Sequence, residues 1–264
     1  MIRKVRVGNV VLGSGSIAVQ SMTTVKTSEV QACVAQINAL KNAGCDIARV
    51  AVADEEDARA LRAVCDAVAL PVVADVHFSA RLAVLAVENG AHKLRINPAN
   101  IGSEREVALV ADCLKAHHIP VRVGANTGSI EKKHLERYGR SAQALVLSAL
   151  ENVAVLEKHG VEDIVVSVKA SDVPLTVEAY TLLRKQCDYP LHLGVTEAGT
   201  RGMGIVKSSI GIGSLLLSGI GETIRVSLSA NPVEEVYAAH DILRACGLET
   251  RYVEVVACPT CGRC

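Results

Sequence analysis

The chain has 264 residues, half of them hydrophobic, and its 28 Lys plus Arg balance its 28 Asp plus Glu. This balance excludes the global charge that draws a protein to nucleic acid or to an anionic membrane, and the absence of Trp with only one Phe excludes a base-stacking surface. No stretch has the pattern of a signal peptide or approaches the ~20 apolar residues of a membrane span, so we expect a soluble, cytoplasmic protein.

Eight short β-rich segments alternate with helical stretches along the chain. They cover residues 18–24, 46–52, 71–77, 93–98, 120–126, 163–169, 190–197 and 223–228. Three helix starts carry a capping side chain three residues before Glu or Gln, at Ser28, Ser103 and Asn231. Ahead of the first strand, residues 5–13 have the pattern of a β-hairpin that could cover one end of the fold.

Eight βα units in a chain of this length predict an α/β fold, a (β/α)₈ TIM-type barrel, for which ~250 residues are typical. A doubly wound open sheet is the competing architecture, but the even spacing favours closure. After Gly247 the pattern changes to an extended segment. We therefore predict a barrel domain over residues 1–247 and an exit segment over residues 248–264.

Polar side chains recur at every second position of these strands, where barrel interiors normally hold branched apolar residues. One parity of each strand is apolar, and we expect it to face the helices. The other parity should point into the barrel. It contains Arg49, Asp75, His77, Arg95, Asn97, Arg122, Asn126, Ser167, Lys169, Arg225 and Ser227.

Five of these inward residues are cations, on five different strands. They are Arg49, Arg95, Arg122, Lys169 and Arg225. An isolated buried charge costs several kcal/mol, so converging cations need anions, either from acids such as Asp75 and Glu197 or from a ligand. The excess of cations favours a bound polyanion. A diphosphate suits the planar fork of arginine, and barrel enzymes bind substrates at this end of their strands.

Three residues near strand ends are weaker candidates. His77 and His192 are either acid–base groups, phosphate donors or structural residues. Glu197, at the end of the seventh strand, is either a general acid or base or a counter-ion for Arg225.

Two stretches have both a functional interpretation and a simpler structural one. The glycine-rich residues 211–222 lack the Lys-Ser/Thr ending of a P-loop, so helix packing and a turn explain them better. The charged residues 128–139 form either a mobile lid or, by default, a solvated face.

Nine cysteines are present, and six are scattered singly through apolar stretches, as expected of buried thiols. The other three, Cys258, Cys261 and Cys264, have the spacing CxxCxxC. A CxxC pair is common to zinc, redox and iron–sulfur sites. The spacing alone therefore predicts an incomplete metal site.

Eight motifs in order closely resemble the 4-hydroxy-3-methylbut-2-enyl diphosphate synthase family over essentially the whole chain. They are VGNVVLGSGSIAVQSMT, ADVHF, LRINPANIG, VRVGANTGS, SVKASDV, LHLGVTEAG, IRVSLSANPVEEV and ACPTCGR. The resemblance implies an oxidoreductase of the methylerythritol phosphate route to isoprenoids. Its substrate would be 2-C-methyl-D-erythritol 2,4-cyclodiphosphate, whose ring is opened and dehydrated with two electrons from ferredoxin or flavodoxin.

Carried over motif by motif, the resemblance also implies roles for single residues. Glu197 matches the acid–base glutamate. Cys258 and Cys261 match the first two of three cysteines that, with one glutamate, hold a [4Fe–4S] cluster on a C-terminal domain. The diphosphate grip falls on Arg49, His77, Arg95, Arg122, Lys169, Arg225 and Ser227, with Asn97 and Asn126 beside it.

In this family the cluster domain of one subunit closes over the barrel of its partner, so the resemblance implies a homodimer. The third cysteine and the glutamate would lie well beyond position 264, and Cys264 is not at the third-ligand position. We therefore expect a barrel without its cluster domain, with negligible activity by itself.

Two other functions stay open. A Schiff-base aldolase would use Lys169 as its nucleophile, because barrel aldolases can carry such a lysine at a strand end. A non-catalytic diphosphate-binding module would bind the ligand without turnover.

Overall fold

The computed structural model describes residues 2–250 and 252–258. Two short strands, β1 (Val5–Val7) and β2 (Val10–Leu12), form an antiparallel hairpin. Eight parallel strands follow, namely β3 (Ala18–Met22), β4 (Ile47–Ala51), β5 (Val72–Asp75), β6 (Lys93–Arg95), β7 (Val121–Asn126), β8 (Ile164–Lys169), β9 (His192–Leu193) and β10 (Thr223–Ile224).

The parallel strands close into a barrel. Each pairs with its neighbours in chain order, β10 returns to pair with β3, and a bridge between Val166 and Leu191 joins β8 to the segment leading into β9. The predicted (β/α)₈ barrel is confirmed, and the open-sheet alternative is wrong for this chain.

Ten helices are described, most of them packed around the barrel. They are α1 (Val30–Asn42), α2 (Glu55–Ala67), α3 (Ala80–Glu88), α4 (Pro98–Ile101), α5 (Glu104–His117), α6 (Lys132–Tyr138), α7 (Ala142–Lys158), α8 (Val173–Arg184), α9 (Arg201–Leu217) and α10 (Pro232–Ala245). The apolar strand parity, including Val50, Leu94, Val123, Val166 and Ile224, packs with buried helix residues in one large core.

The hairpin closes the amino-terminal end of the barrel, as the sequence predicted. Val5, Val7 and Leu12 of the hairpin are buried. They share a small apolar cluster with Ala18, Ile47, Val73 and Val165 of the barrel strands. The apolar floor therefore lies at the end opposite to the strand termini that carry the charges.

Two of the three predicted helix caps are confirmed. Ser103 and Glu106 form a reciprocal capping box at the start of α5, and the Asn231 side chain accepts from the Val233 amide at the start of α10. The prediction for Ser28 is wrong, because α1 begins one residue later with Glu29 in the cap position. The backbone N–H of Ser28 instead donates to Asp57 on α2 (2.9 Å), which draws this residue into the loop.

The glycine-rich residues 211–222 belong to the end of α9 and the turn into β10. A Cβ at Gly211 would lie 2.8 Å from Val195, and Gly221 has a positive φ of 118°. Gly211 therefore allows close helix packing and Gly221 allows the turn, which is the interpretation that the sequence analysis preferred to a phosphate-binding loop. Residues 128–139 contain α6, which has no buried residue.

The cysteines between residues 33 and 246 are all free thiols in the described part of the chain, either buried or half-buried. In the same part of the chain, no helix combines the length and the apolar character needed to cross a bilayer.

Candidate active site

The carboxyl ends of the strands surround a polar cavity, which we call the cationic cup. Its cavity volume is about 80 Å³, and it opens to solvent at its mouth. All five predicted inward cations lie here. The lining residues are Arg49, Arg95, Arg122, Asn126, Ser167, Lys169, Val195, Thr196, Arg225 and Ser227. The polar parity of the strands thus converges on one space.

Asp75, on β5, is the acid that faces two of the cup arginines. Its carboxylate lies 3.1 Å from Arg95 Nη1 and 3.6 Å from Arg49 Nε. Burial alone would raise the pKa of Asp75, but Arg49, the hydrogen bond with His77, Arg95 and Arg122 hold that pKa well below its usual range. Asp75 therefore stays ionised and partly neutralises these two arginines.

Burial also shifts the pKa of Arg49. It acts downward on this cation, whereas it acts upward on the Asp75 carboxylate. It lowers the pKa of the Arg49 guanidinium to about 10, with Asp75 opposing the shift and Arg225 and Arg95 adding to it. Two of its nitrogens point at the Met22 sulfur, at 3.1 and 2.9 Å. A thioether is a weak acceptor, so this guanidinium keeps hydrogen-bonding capacity for a ligand.

The counter-ion of Arg225 is a residue that the sequence analysis missed. Arg225 Nε lies 3.6 Å from the Glu235 carboxylate, which also accepts from Ser21 Oγ (3.0 Å) and the Leu228 amide (3.0 Å). Glu235 reaches the cup from the first turn of α10, so strand parity could not have found it. Among the described residues, Glu197 forms no ion pair with Arg225, so the interpretation of Glu197 as its counter-ion is wrong.

Arg122 and Lys169 have no carboxylate within 4.0 Å in the described part of the chain. Arg122 is 4% exposed, and its Nη1 is buried without a hydrogen-bond partner. Burial and the neighbouring cations lower the pKa of both groups well below their usual values. A Cβ at Gly194 would lie 2.6 Å from Lys169 Nζ, so glycine leaves room for this amine.

The remaining predicted residues lie at or near the cup. The half-exposed His77 ring lies at the edge of the cup, with Nε2 2.9 Å from Arg95 Nη1 and 3.5 Å from the Asp75 carboxylate. Asn126 and Ser227 line the cavity. Asn97, 9% exposed, follows Arg95 by two positions on the same strand parity.

Glu197 follows β9 directly after Thr196, one of the lining residues. Its side chain is exposed, and its φ of 50° lies in the left-handed region. A non-glycine residue adopts this conformation uncommonly and at a cost. The carboxylate has no ion pair among the described residues, which leaves it available for proton transfer.

A second polar layer lies beneath the cup, and the sequence analysis missed most of it. Its members precede cup-level positions by two residues on their strands, and each is at most 1% exposed. We call Gln20, Lys93, His192 and Thr223 the lower layer. His192 Nδ1 pairs with Thr223 Oγ1 at 2.8 Å. His192, expected near a strand end, is therefore enclosed rather than presented to a substrate. Strand parity is the signal that could have found Lys93, which precedes Arg95 by two residues.

The predicted cluster ligands fall at the edge of the described chain. Cys258 is exposed, whereas Cys261 and Cys264 lie outside the described residues. Within residues 2–250 and 252–258, no three His, Cys, Asp or Glu side chains form a group that could hold a metal ion. Of the two predicted cluster ligands, the described residues therefore contain Cys258 alone.

The fold and the cup define a (β/α)₈-barrel protein of the class that binds its substrates at the carboxyl ends of the strands. A family model described as the GcpE TIM-barrel domain matches residues 2–240. This chain belongs to that family, and the resemblance seen in the sequence is confirmed.

Curated relatives agree with this assignment, and a solved structure shares the fold. The 4-hydroxy-3-methylbut-2-en-1-yl diphosphate synthases (flavodoxin) of Desulfotalea psychrophila and Thermotoga petrophila are 51% and 52% identical, over 99% and 100% of this chain and 73% and 75% of theirs. A dihydropteroate synthase of Xanthomonas albilineans, 15% identical, superposes with a TM-score of 0.66 over 93% of this chain and 97% of its own. That likeness shows the shared barrel fold alone.

Proposed function

We propose that this chain binds 2-C-methyl-D-erythritol 2,4-cyclodiphosphate in the cationic cup, for reductive conversion to 4-hydroxy-3-methylbut-2-enyl diphosphate. In this reaction two electrons break a ring C–O bond to phosphate, and one hydroxyl leaves with a proton as water. The relatives, whose sequences are 51% and 52% identical to this chain, carry the name of the synthase that makes this product with flavodoxin. Flavodoxin, or ferredoxin in its place, is the proposed electron donor.

The imbalance of charge in the cup is the observation that carries the proposal. Five cations line the cavity, whereas two carboxylates, Asp75 and Glu235, lie within 4.0 Å of any of them among the described residues. The three cations in excess would be costly in an empty barrel. The phosphate oxygens of a cyclic diphosphate supply the missing negative charge.

Each residue of the cup has a role in this proposal. Arg122 and Lys169, which lack carboxylate partners, bind phosphate oxygens directly. Arg49, Arg95 and Arg225 donate their free N–H groups while Asp75 and Glu235 orient them. The hydrogen-bonding residues that complete the grip are His77, Asn97, Asn126 and Ser227.

Glu197 is the proposed acid–base residue. It lies beside the cup next to Thr196, and no ion pair holds its carboxylate among the described residues. A glutamate there can deliver a proton to the departing hydroxyl. The electrons enter from outside the described residues, so this chain's own contribution is binding, orientation and proton transfer.

The other family properties stay proposals for this chain. They are the [4Fe–4S] cluster with Cys258 and Cys261 among its ligands, the homodimer, the cytoplasmic location and the division of the chain after Gly247. Reconstitution with iron and sulfide under anaerobic conditions, read by cluster absorbance, tests the first.

Calorimetric titration with the cyclic diphosphate tests the proposed function. The native chain should bind it, and Arg122→Met should weaken binding by about 100-fold or more, as expected when a buried charge pair loses one partner. Arg105→Met is the matched control, since Arg105 is exposed on α5. Absence of binding by the native chain would contradict the proposal. Binding without turnover, even in the presence of a reconstituted cluster and reduced flavodoxin, would instead favour a non-catalytic module.

One observation keeps the aldolase alternative testable. Burial and the four arginines of the cup lower the pKa of Lys169 well below its usual value, which is the direction of shift that a Schiff-base lysine needs. Borohydride trapping of a carbonyl substrate on Lys169 would support an aldolase. The family assignment favours the reductive reaction.

A further inference from the structure

The lower layer holds a lysine that nothing in its surroundings neutralises. Lys93 is fully buried, and its only hydrogen bond among the described residues is a long one to Gln20 Oε1 (3.4 Å). Among the described residues, no carboxylate lies within 4.0 Å of its amine. Gln20 Nε2 and His192 Nε2, in the same layer, are also buried without partners. The described residues therefore leave two polar atoms of this layer without a hydrogen-bond partner.

The charged groups that face Lys93 are almost all positive. They are Arg49 of β4 and Arg122 of β7, with the titratable His192 of β9. The one acid on a neighbouring strand, Asp75 of β5, already pairs with Arg49 and Arg95. Burial first, then Arg122 and Arg49, lower the pKa of Lys93 to about 7. Above this pH the amine is therefore mostly neutral in the ligand-free protein.

We propose that Lys93 responds to occupancy of the cup, because its buried amine takes up a proton from solvent when a diphosphate binds above it. This inference rests on the proposed function. A polyanion neutralises Arg122 and Arg49, whose repulsion opposes the charged amine, and it adds an attraction of its own. Lys93 then becomes one more cation that balances the ligand.

Linkage fixes the sign of the pH dependence. If the pKa of Lys93 rises on binding, the amine is already protonated below its ligand-free pKa of about 7, so the affinity there does not depend on pH through this group. Between that value and the pKa of the complex, affinity falls as the pH rises. A lysine that merely fills the barrel would leave the number of bound protons unchanged.

Calorimetry with inorganic pyrophosphate, in buffers of different ionisation enthalpy, measures the protons taken up on binding. The full chain is compared with Lys93→Met, and Lys41→Met on the exposed end of α1 is the matched control. At about pH 8 the native chain and Lys41→Met should take up close to one proton more than Lys93→Met, and at about pH 6 this difference should vanish. Comparing variants at one pH cancels the protonation of pyrophosphate itself. Equal uptake by all three at both pH values would overturn the inference.

A second measurement does not depend on the folding of a variant. In native protein labelled with ¹³C at lysine Cε, the Lys93 signal should titrate near neutral pH without ligand and at a higher pH with pyrophosphate. An unchanged titration in the presence of bound pyrophosphate would overturn this inference alone. Failure of pyrophosphate to bind at all would overturn the proposed function as well, so the two failures are distinguishable.

Discussion

At the scale of single residues, the site is defined by which cations have a carboxylate and which do not. Asp75 serves Arg49 and Arg95, and Glu235 serves Arg225. Arg122 stands apart because it is buried without such a partner. Removing an acid and removing the unpaired cation should therefore change stability in opposite directions.

Asp75→Asn should destabilise the empty barrel. Breaking a buried ion pair by removing one partner costs about 3–5 kcal/mol, because uncompensated charge is left behind. The lowered pKa of Asp75 means that its contribution is complete above the ordinary aspartate pKa, and it is lost only as the pH falls through the lowered value. Denaturant unfolding should show a constant deficit from about pH 5 to pH 8. A deficit that disappears within that range would contradict the paired geometry.

Arg122→Met should leave the empty barrel as stable as the native chain or make it more stable, by up to about 1–4 kcal/mol. The substitution removes a buried charge with no carboxylate beside it and keeps an apolar side chain in its place. Urea unfolding of the ligand-free protein measures this, with Arg105→Met as the exposed control. A clear loss of stability specific to Arg122→Met would show that this charge is compensated within the protein.

Sequence reasoning found the cup residues because alternation along a strand is a strict geometric rule. The same rule places Lys93, two positions before Arg95, on the inward parity of β6, although the sequence analysis did not include it. Alternation along strands could not predict the contact between Glu235 and Arg225, since Glu235 lies on a helix. Pairing within the cup depends on three-dimensional contacts between distant segments, which one sequence does not contain.

At the scale of elements, order and type were predictable, and the ends were less so. All eight barrel strands appear in the predicted order, but β9 and β10 keep only two residues each, as the chain leaves the ladder to deliver Thr196, Arg225 and Ser227 to the cup. Local signals decide helix starts unless a tertiary contact competes. The contact from Ser28 to Asp57 is such a case.

The two serine caps provide a matched test of this point. Ser103→Ala should lower the free energy of unfolding by about 1 kcal/mol, because it removes the capping box of α5. Ser28→Ala should change it by less than about 0.5 kcal/mol, because that side chain caps no helix. Chemical denaturation of both variants measures the difference. Equal losses would indicate that α1 begins at Ser28 in solution.

At the scale of the whole molecule, the barrel separates stability from binding along its axis. The hairpin and an apolar cluster close the amino-terminal end. The lower layer lies between them and the cup, and the cations open toward solvent at the other end. This division explains how one barrel tolerates five converging cations: the costly charges are confined to the end where a ligand can reach them.

A crystal structure of the chain with 2-C-methyl-D-erythritol 2,4-cyclodiphosphate tests the central claim most directly. The account predicts phosphate oxygens within hydrogen-bonding distance of Arg122, Lys169 and Arg95, deep in the cup. A ligand held outside the barrel mouth, with these side chains still unpaired, would contradict it.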